Sequence, residues 1–487
     1  MASVWLLAAW GVGAGASVVI NIVAARIFPK AFYGDFALVL ATLVWVEYSI
    51  SATFPLSYQK LASEKLDNLP RIYYSIRHLC LPLCLGLWAI FSLASPLMAR
   101  LLGDTNLTRF FLWAGPDIPI LGLYAVSIGV LNGAGRPGHM GASQACYAVG
   151  RVVFITGVMV VLKVGLGADD ATSVSGGLFA KACASGFGLV VAIRFLRRIP
   201  HGTPSGPLTR MGRHVIRYGV PLGVTTVALY LLINVDFWLV KALLKDDDAA
   251  AYFGAARAVA FLAIFVGIAM RNAVFPAMAW NLHRGRVKEG LVALRTALRV
   301  VLLVAGMLVA LLPATATDLS MFLFKYHDAG PPMVFLVIAT SLFAVLMVYV
   351  MAFAAADRPR EPLVLLAGLV PLAVTAHYLV IPRMGAPGAA LVTMCTMGVG
   401  VAAASVLLWT RLRARPPVVS ILRIGGVAVA VALVSRLAPA TGWLLLVKYA
   451  VMGSAYAALL LIVREVRPAE VGKLVLALKR KLGKAQR

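Results

Sequence analysis

Seven ionisable residues interrupt long apolar runs of this sequence: Glu47, Asp117, Arg151, Lys181, Asp236, Arg257 and Arg271. A charge at bilayer depth is costly, so an intramembrane ionisable group is a functional candidate by default. Arg151 lies about nine residues into its run, ~13 Å along a helix and so near a membrane midplane. Lys181 lies about seven residues into the next run. Arg257 and Arg271 are close to four helical turns apart, which places them on one face, roughly 21 Å from each other. These four cations would line one cavity from both halves of the chain. Such a cavity suits an anion, above all a diphosphate, because a guanidinium contacts phosphate oxygens in pairs. The competing reading is that the long stems let the charges reach lipid headgroups. It weighs most on Arg271, nearer the end of its run, and least on Arg151. Lys163, Arg194, Arg423 and Arg436 lie at run ends, where that reading wins.

The acids and amides admit two roles each. Asp236 is either a counter-ion for Lys241 or a coupling site for a proton or Na⁺. Glu47, deep in its run, is either proton-coupling or held by a neighbouring cation. Asp117 lies in GPDIP, where Pro116 and Pro119 interrupt helical hydrogen bonding, and it would satisfy freed backbone groups. Asn21 and Asn234 hold comparable places in the two halves, suited to sugar hydroxyls or to hydrogen bonds between helices.

The elements that position these residues follow from composition. Of 487 residues, 61% are apolar and 13% charged, and the mean hydropathy is +0.90. A soluble domain is roughly 45–50% apolar and about 25% charged. This chain has too little polar surface for water, and the membrane is the solvent that fits. Spanning helices need ~20 apolar residues. Fourteen runs qualify, at about 4–25, 33–57, 78–98, 110–131, 142–165, 174–196, 217–240, 251–279, 299–314, 331–356, 363–382, 386–410, 421–438 and 443–463. The expected fold is an all-α polytopic membrane protein of about 14 transmembrane helices.

The net charge of +26 tests its topology. With the N-terminus inside, 28 Lys and Arg fall in cytoplasmic loops and tail, against 8 in the opposite loops. The positive-inside rule then places both termini in the cytoplasm and accounts for most of the charge without nucleic acid. The tail VGKLVLALKRKLGKAQR reads as a basic amphipathic helix on anionic lipid. The first run leads straight into a multi-spanning pattern, so it is no cleavable signal. The lack of basic residues before Val4 points to a start further upstream.

A weak internal repeat is visible. AARIFPKAFYGDFALVLA and WLVKALLKDDDAAAYFGAARAVA both pass from a short polar loop into a helix opened by an aromatic and a glycine (Tyr33 and Gly34; Tyr252 and Gly254). GGLFAKACA (176–184) and PGAALVTMC (387–395) open the sixth and twelfth runs. The spacing fits two pseudo-symmetric six-helix bundles plus two C-terminal helices, an arrangement that puts a transporter's site between its halves. The expected divisions are an N-terminal bundle at 1–198, a basic linker at 199–216, a second bundle at 217–412, two added helices at 413–463 and a basic tail at 464–487.

Catalytic signatures are missing. The five cysteines sit in apolar runs without zinc spacing, and the seven histidines form no ligand set. There is no P-loop, HExxH or GxSxG. Asp246–Asp248 reads as a solvated outer loop. No catalytic residue, metal site or cofactor is expected, and the chain is not read as an enzyme.

AARIFPKAFYGDFALVLATLVWV resembles the first motif of the polysaccharide-transporter flippases, a branch of the multidrug/oligosaccharidyl-lipid/polysaccharide exporter superfamily. Residues 217–261, LNGAGRPG (131–138) and HYLVIPRMGAPGAALVTM (377–394) resemble its seventh and eighth spans, the loop after its fourth, and the crossing into its twelfth. The resemblance implies two six-helix bundles around a central cavity, two further helices and alternating access. It implies a lipid-diphosphate-linked oligosaccharide, a polyprenyl-diphosphate glycan, moved from the cytoplasmic to the outer leaflet of the inner membrane for exopolysaccharide, capsule or O-antigen. Membrane lipids, a coupling proton or Na⁺, and polysaccharide polymerase or export machinery would be partners. Related peptidoglycan-precursor flippases carry cavity arginines on their first and eighth helices, where this chain has Arg26, Arg257 and Arg271. Arg26 lies at the very end of its run. Two rivals are a cation-coupled multidrug antiporter of the same superfamily, which would favour acidic intramembrane residues, and a glycan polymerase or ligase, which needs a large extramembrane loop.

Overall fold

The computed structural model describes residues 2–64, 72, 75–199, 208–356, 358, 360–414 and 417–466. Helices α1 (Ala2–Ile27) and α2 (Lys30–Glu64) are joined by two residues. They are followed by α3 (Leu81–Leu101), α4 (Leu107–Ala114), α5 (Asp117–Gly133), α6 (Pro137–Arg151) and α7 (Asp170–Leu196). The second half comprises α8 (Leu208–Leu232), α9 (Val235–Leu244), α10 (Asp247–Ala260), α11 (Leu262–His283), α12 (Val287–Leu311), α13 (Ala316–Phe324), α14 (Gly330–Ala355) and α15 (Arg360–Leu412). Two more helices, α16 (Val418–Leu437) and α17 (Leu444–Ile462), close the described chain. No strand occurs among the described residues.

Each of the fourteen apolar runs is helical, several of them across a break. Eleven described helices are long and apolar enough to cross a membrane, or twelve if the bent pair α8 and α9 forms one span. The counts differ because α15 holds two runs on either side of Gly385, and because α2, with Asp35 and Glu47 inside it, is not among the eleven. The chain is a multi-pass membrane protein. Only helices and closed barrels span hydrocarbon, since each backbone polar group must be satisfied within the segment. The basic tail beyond 466 and residues 200–207 of the linker lie outside the described residues.

Several spans are broken close to the ionisable residues. The fourth breaks between Ala114 and Asp117, as Pro116 requires, so Asp117 opens α5. The fifth passes from α6 into π-helical turns at Val152–Thr156 and Val161–Gly165, and Arg151 stands at the first junction. Such bulges recur at functional sites. The seventh bends by 44° between α8 and α9. The eighth breaks at Phe261, so Arg257 and Arg271 do not share one straight helix as their spacing predicts.

In the first half, α1 packs on α6, α2 on α5, and α7 on both α5 and α6. In the second, α14 packs on α11 and α15, and α9 on α15. Helices α16 and α17 rest on α12. The halves meet where α2 crosses α8 and α10 and where α1 crosses α11. The two repeated glycines make the α2–α10 crossing close. A methyl group on Gly34 would lie 3.1 Å from the Ala251 backbone nitrogen, and one on Gly254 would lie 2.8 Å from the Ala37 side chain.

Candidate functional site

Two neighbouring cavities lie between the halves. The first, about 100 Å³, is lined by Trp10 of α1, Glu47 and Gln59 of α2, Arg151, Lys181, and Arg271 and Asn272 of α11, among others. The second, about 110 Å³, is lined by Asn21, Arg151, Tyr230 and Arg257, among others. Val44, Arg151 and Phe265 belong to both walls. The four cations expected in one shared site are divided between the two cavities: Lys181 and Arg271 line the first, Arg257 the second, and Arg151 both.

They are not equivalent. Lys181 of α7 is buried between Glu47 of α2 and Asp117 of α5 and donates to both carboxylates. A buried charge must be paired to persist, and this pairing joins three helices of the first half. Asp117 thus does more than satisfy backbone groups. The helix break that frees the backbone also turns its side chain toward Lys181.

Arg257 is buried and held by three hydrogen bonds. Its Nη1 donates to the Ile233 carbonyl (2.7 Å) and to Asp236 Oδ1 (2.9 Å), and its Nη2 donates to Asn234 Oδ1 (2.5 Å). Ile233 and Asn234 form the bend between α8 and α9, so the guanidinium satisfies a backbone carbonyl, that of Ile233, which a straight helix would satisfy itself. It also lies over the Phe261 ring, 4.3 Å from the centroid. Thr393 of α15 donates to the other oxygen of Asp236 at 2.9 Å. Asn234 is buried in this network, with its amide donating to the Tyr230 carbonyl, and it does not line either cavity. Asn21 lines the second cavity, accepting from Tyr33 and donating to the Ser17 carbonyl.

The expected pairing of Asp236 with Lys241 is corrected. Lys241 instead donates to Asp35 (2.8 Å), Asp247 (2.6 Å) and Asp104 (3.5 Å). The α8–α9 bend directs Asp236 inward to Arg257, while Lys241, more than a turn further on, reaches the loop end. Asp246–Asp248 is correspondingly no merely solvated loop. Asp246 caps α10 by accepting from the Asp248 N–H, Asp247 holds Lys241, and Asp248 accepts from Lys30 at 2.7 Å. Arg26 is exposed and donates to the Phe322 and Leu323 carbonyls at the end of α13, so it caps a helix rather than lining either cavity.

Arg151 and Arg271 differ from the other two cations. Neither has an ion-pair partner among the described residues, whereas Lys181 and Arg257 do. The Nε of each is buried and without a hydrogen-bond partner. Arg151 has only the Tyr147 ring, 5.8 Å away, as a cation–π neighbour. Arg271 is 6% exposed, too enclosed to be a snorkelling side chain. Arg271 has the Tyr230 hydroxyl as a hydrogen-bonding neighbour. A guanidinium without a counter-ion at such depth is costly, and an anion in the cavity would offset that cost. Sequence reasoning missed Trp10 and Gln59. Their only signal was a polar atom within an apolar helix.

A family model described as "Polysaccharide biosynthesis protein" matches residues 2–281. The chain belongs to this family. A comparison with curated proteins finds no match. Among solved structures, the fold is similar to that of a structure described as "Lipid II flippase MurJ, inward closed conformation", with a TM-score of 0.66 and 14% identity over 92% of this chain and 96% of that one. It is also similar to the eukaryotic MATE transporter AtDTX14, with a TM-score of 0.66 and 13% identity over 90% of this chain and 98% of that one. An inward-facing multidrug resistance MATE family transporter of the MOP superfamily gives a TM-score of 0.64 and 14% identity over 82% and 94%. The polysaccharide family and the exporter-type fold agree with the resemblance carried by the sequence motifs, and the fold neighbours are flippases and transporters.

Proposed function

We propose that this protein is a flippase for a lipid-diphosphate-linked oligosaccharide. One observation carries the reading: two guanidiniums without carboxylate partners, Arg151 and Arg271, face a cavity between the halves of a membrane-spanning chain. A glycan headgroup is too polar to cross hydrocarbon unaided, and its lipid tail must remain there. A polar cleft between two bundles (1–198 and 217–412) meets both demands. Arg151 and Arg271 contact the anionic group directly. Lys181, Arg257 and Asn234 hold the surrounding helices in register, and Asn21 meets sugar hydroxyls.

Sidedness follows the charge count, with the connections at Phe28–Pro29 and Lys245–Asp246 outside and both termini in the cytoplasm of an inner-membrane protein. Glu47 and Asp236 are the sites at which a coupling proton or Na⁺ would act. Exporters of cationic drugs would favour an unpaired acid in the wall. The one acid lining these two cavities, Glu47, is already held by Lys181.

The test is export in a cell lacking the protein. Arg151→Ala and Arg271→Ala should each reduce outer-leaflet glycan at least tenfold at unchanged membrane expression, with the exposed Arg436→Ala as control. Full export by both cavity variants would overturn the reading.

A further inference from the structure

The turn between α11 and α12 carries aromatic and basic side chains that its folding does not require. Gly285 has a left-handed backbone, with φ +72°. The Gly285 N–H donates to the Leu282 carbonyl (3.0 Å), and the Arg286 N–H donates to the Asn281 carbonyl (2.9 Å). A helix that ends on glycine is commonly closed in this way. The same closure recurs at Leu131–Arg136, with Gly135 at φ +71°. There Val130 and Ala134 stand where this turn has Trp280 and Arg284. Plain aliphatic residues therefore suffice for the backbone at both positions.

Trp280 and Arg284 build a surface instead. The Arg284 guanidinium lies 4.0 Å from the centroid of the Trp280 ring, and that of Arg286 lies 5.9 Å from it. Two like charges beside one ring repel each other. Neither has an ion-pair partner among the described residues, although Glu289 stands in the first turn of α12. Both arginines are exposed. The surface next to them is apolar: Trp280 is 47% exposed, Val287 50% and Val292 60%. Lys288 and Arg295, both exposed, flank Val292 at helical spacing on one face of α12. Trp280 follows directly on the eighth apolar run, at the level where hydrocarbon gives way to headgroups.

We propose that this patch binds one anionic phospholipid, whose phosphodiester bridges Arg284 and Arg286 and whose chains lie along Trp280, Val287 and Val292. A free phosphate would satisfy the guanidiniums and leave the apolar surface uncovered. A zwitterionic lipid would cover that surface while bringing an ammonium group to a cationic site. An anionic lipid meets both demands. The ring fixes the Arg284 guanidinium in place, so position 280 belongs to the site and is more than a membrane anchor. The inference does not depend on the transported substrate. The charge count puts this turn on the cytoplasmic side, and the leaflet assigned to the lipid, the inner one, rests on that proposed sidedness.

Full-length protein in detergent micelles would be incubated with equal amounts of dioleoylphosphatidylglycerol and dioleoylphosphatidylethanolamine, and bound lipid counted by native mass spectrometry. The wild type should retain phosphatidylglycerol in preference to phosphatidylethanolamine. Arg284→Gln/Arg286→Gln should lower that retention about tenfold or more. Trp280→Leu keeps an apolar surface without the ring and should lower it about threefold. Arg197→Gln/Arg198→Gln removes the same charge from another exposed basic pair and should leave retention unchanged. Excess glycerol 3-phosphate should not displace the lipid, because it has no chains. A wild type without preference, full retention in Arg284→Gln/Arg286→Gln, equal loss in the control pair, or displacement by glycerol 3-phosphate would each overturn the site. Thermal melts of all variants in lipid-free detergent should match the wild type, which separates lost binding from lost folding. Glycan export tests the flippase reading separately.

Discussion

Arg257 donates to Asp236 over 2.9 Å, and the pair is anchored at the bend where the seventh span changes direction. The guanidinium that looked like a ligand group is thus also a brace for a broken helix. Its fork reaches a carbonyl, an amide oxygen and a carboxylate at once. An ammonium cannot reproduce that geometry. Arg257→Lys should therefore fall close to Arg257→Ala in thermal stability, both below the wild type by ~3–5 kcal/mol. Equal stability of Arg257→Lys and wild type would show that charge alone suffices.

Lys181 makes a different prediction, because two carboxylates depend on it. Lys181→Met leaves Glu47 and Asp117 buried without a cation and should cost ~3–5 kcal/mol, the range for breaking a buried pair. Adding Glu47→Gln and Asp117→Asn should restore most of that loss in a thermal melt of the detergent-solubilised protein. No recovery in the triple variant would mean that the three groups are not one network.

The α2–α10 crossing depends on Gly254. A methyl group there would lie 2.8 Å from Ala37, so Gly254→Leu must push the halves apart. Overpacking of this kind costs ~1–3 kcal/mol. Ala37→Gly in the same chain should relieve part of the cost, which a double-mutant cycle on thermal stability would measure.

Lys241 latches the loop end at which α1 meets α2. It belongs to α9 and is bonded to Asp35 of α2 and to Asp104, both of the first half. Lys241→Ala should favour conformations open at that end. With the native cysteines replaced by serine, a cysteine at position 21 in the second cavity should react faster with an impermeant maleimide added from that side. The rate should rise about tenfold for each ~1.4 kcal/mol by which closure is weakened. An unchanged rate would show that the glycine crossing alone keeps this end shut.

The membrane-spanning helical character follows from the sequence by itself. Apolar runs of ~20 residues have no other stable solvent, and a helix in hydrocarbon satisfies its backbone locally, so no distant contact is needed to specify it. For the same reason the ionisable candidates were visible as breaks in those runs, and Pro116 announced the interruption before Asp117. Which cation is neutralised and which is available depended on tertiary structure. Lys181 meets Glu47 and Asp117, 134 and 64 residues away along the chain, and Asp236 turns to Arg257 instead of Lys241. Charge pairing in a low-dielectric interior is decided over a few ångströms, and helix order, bends at Asn234 and Phe261, and the glycine-tight crossing set those distances. Trp10 and Gln59 gave only a weak signal in the sequence, a polar atom within an apolar helix, because which side chains line a cavity is specified only once the helices are assembled.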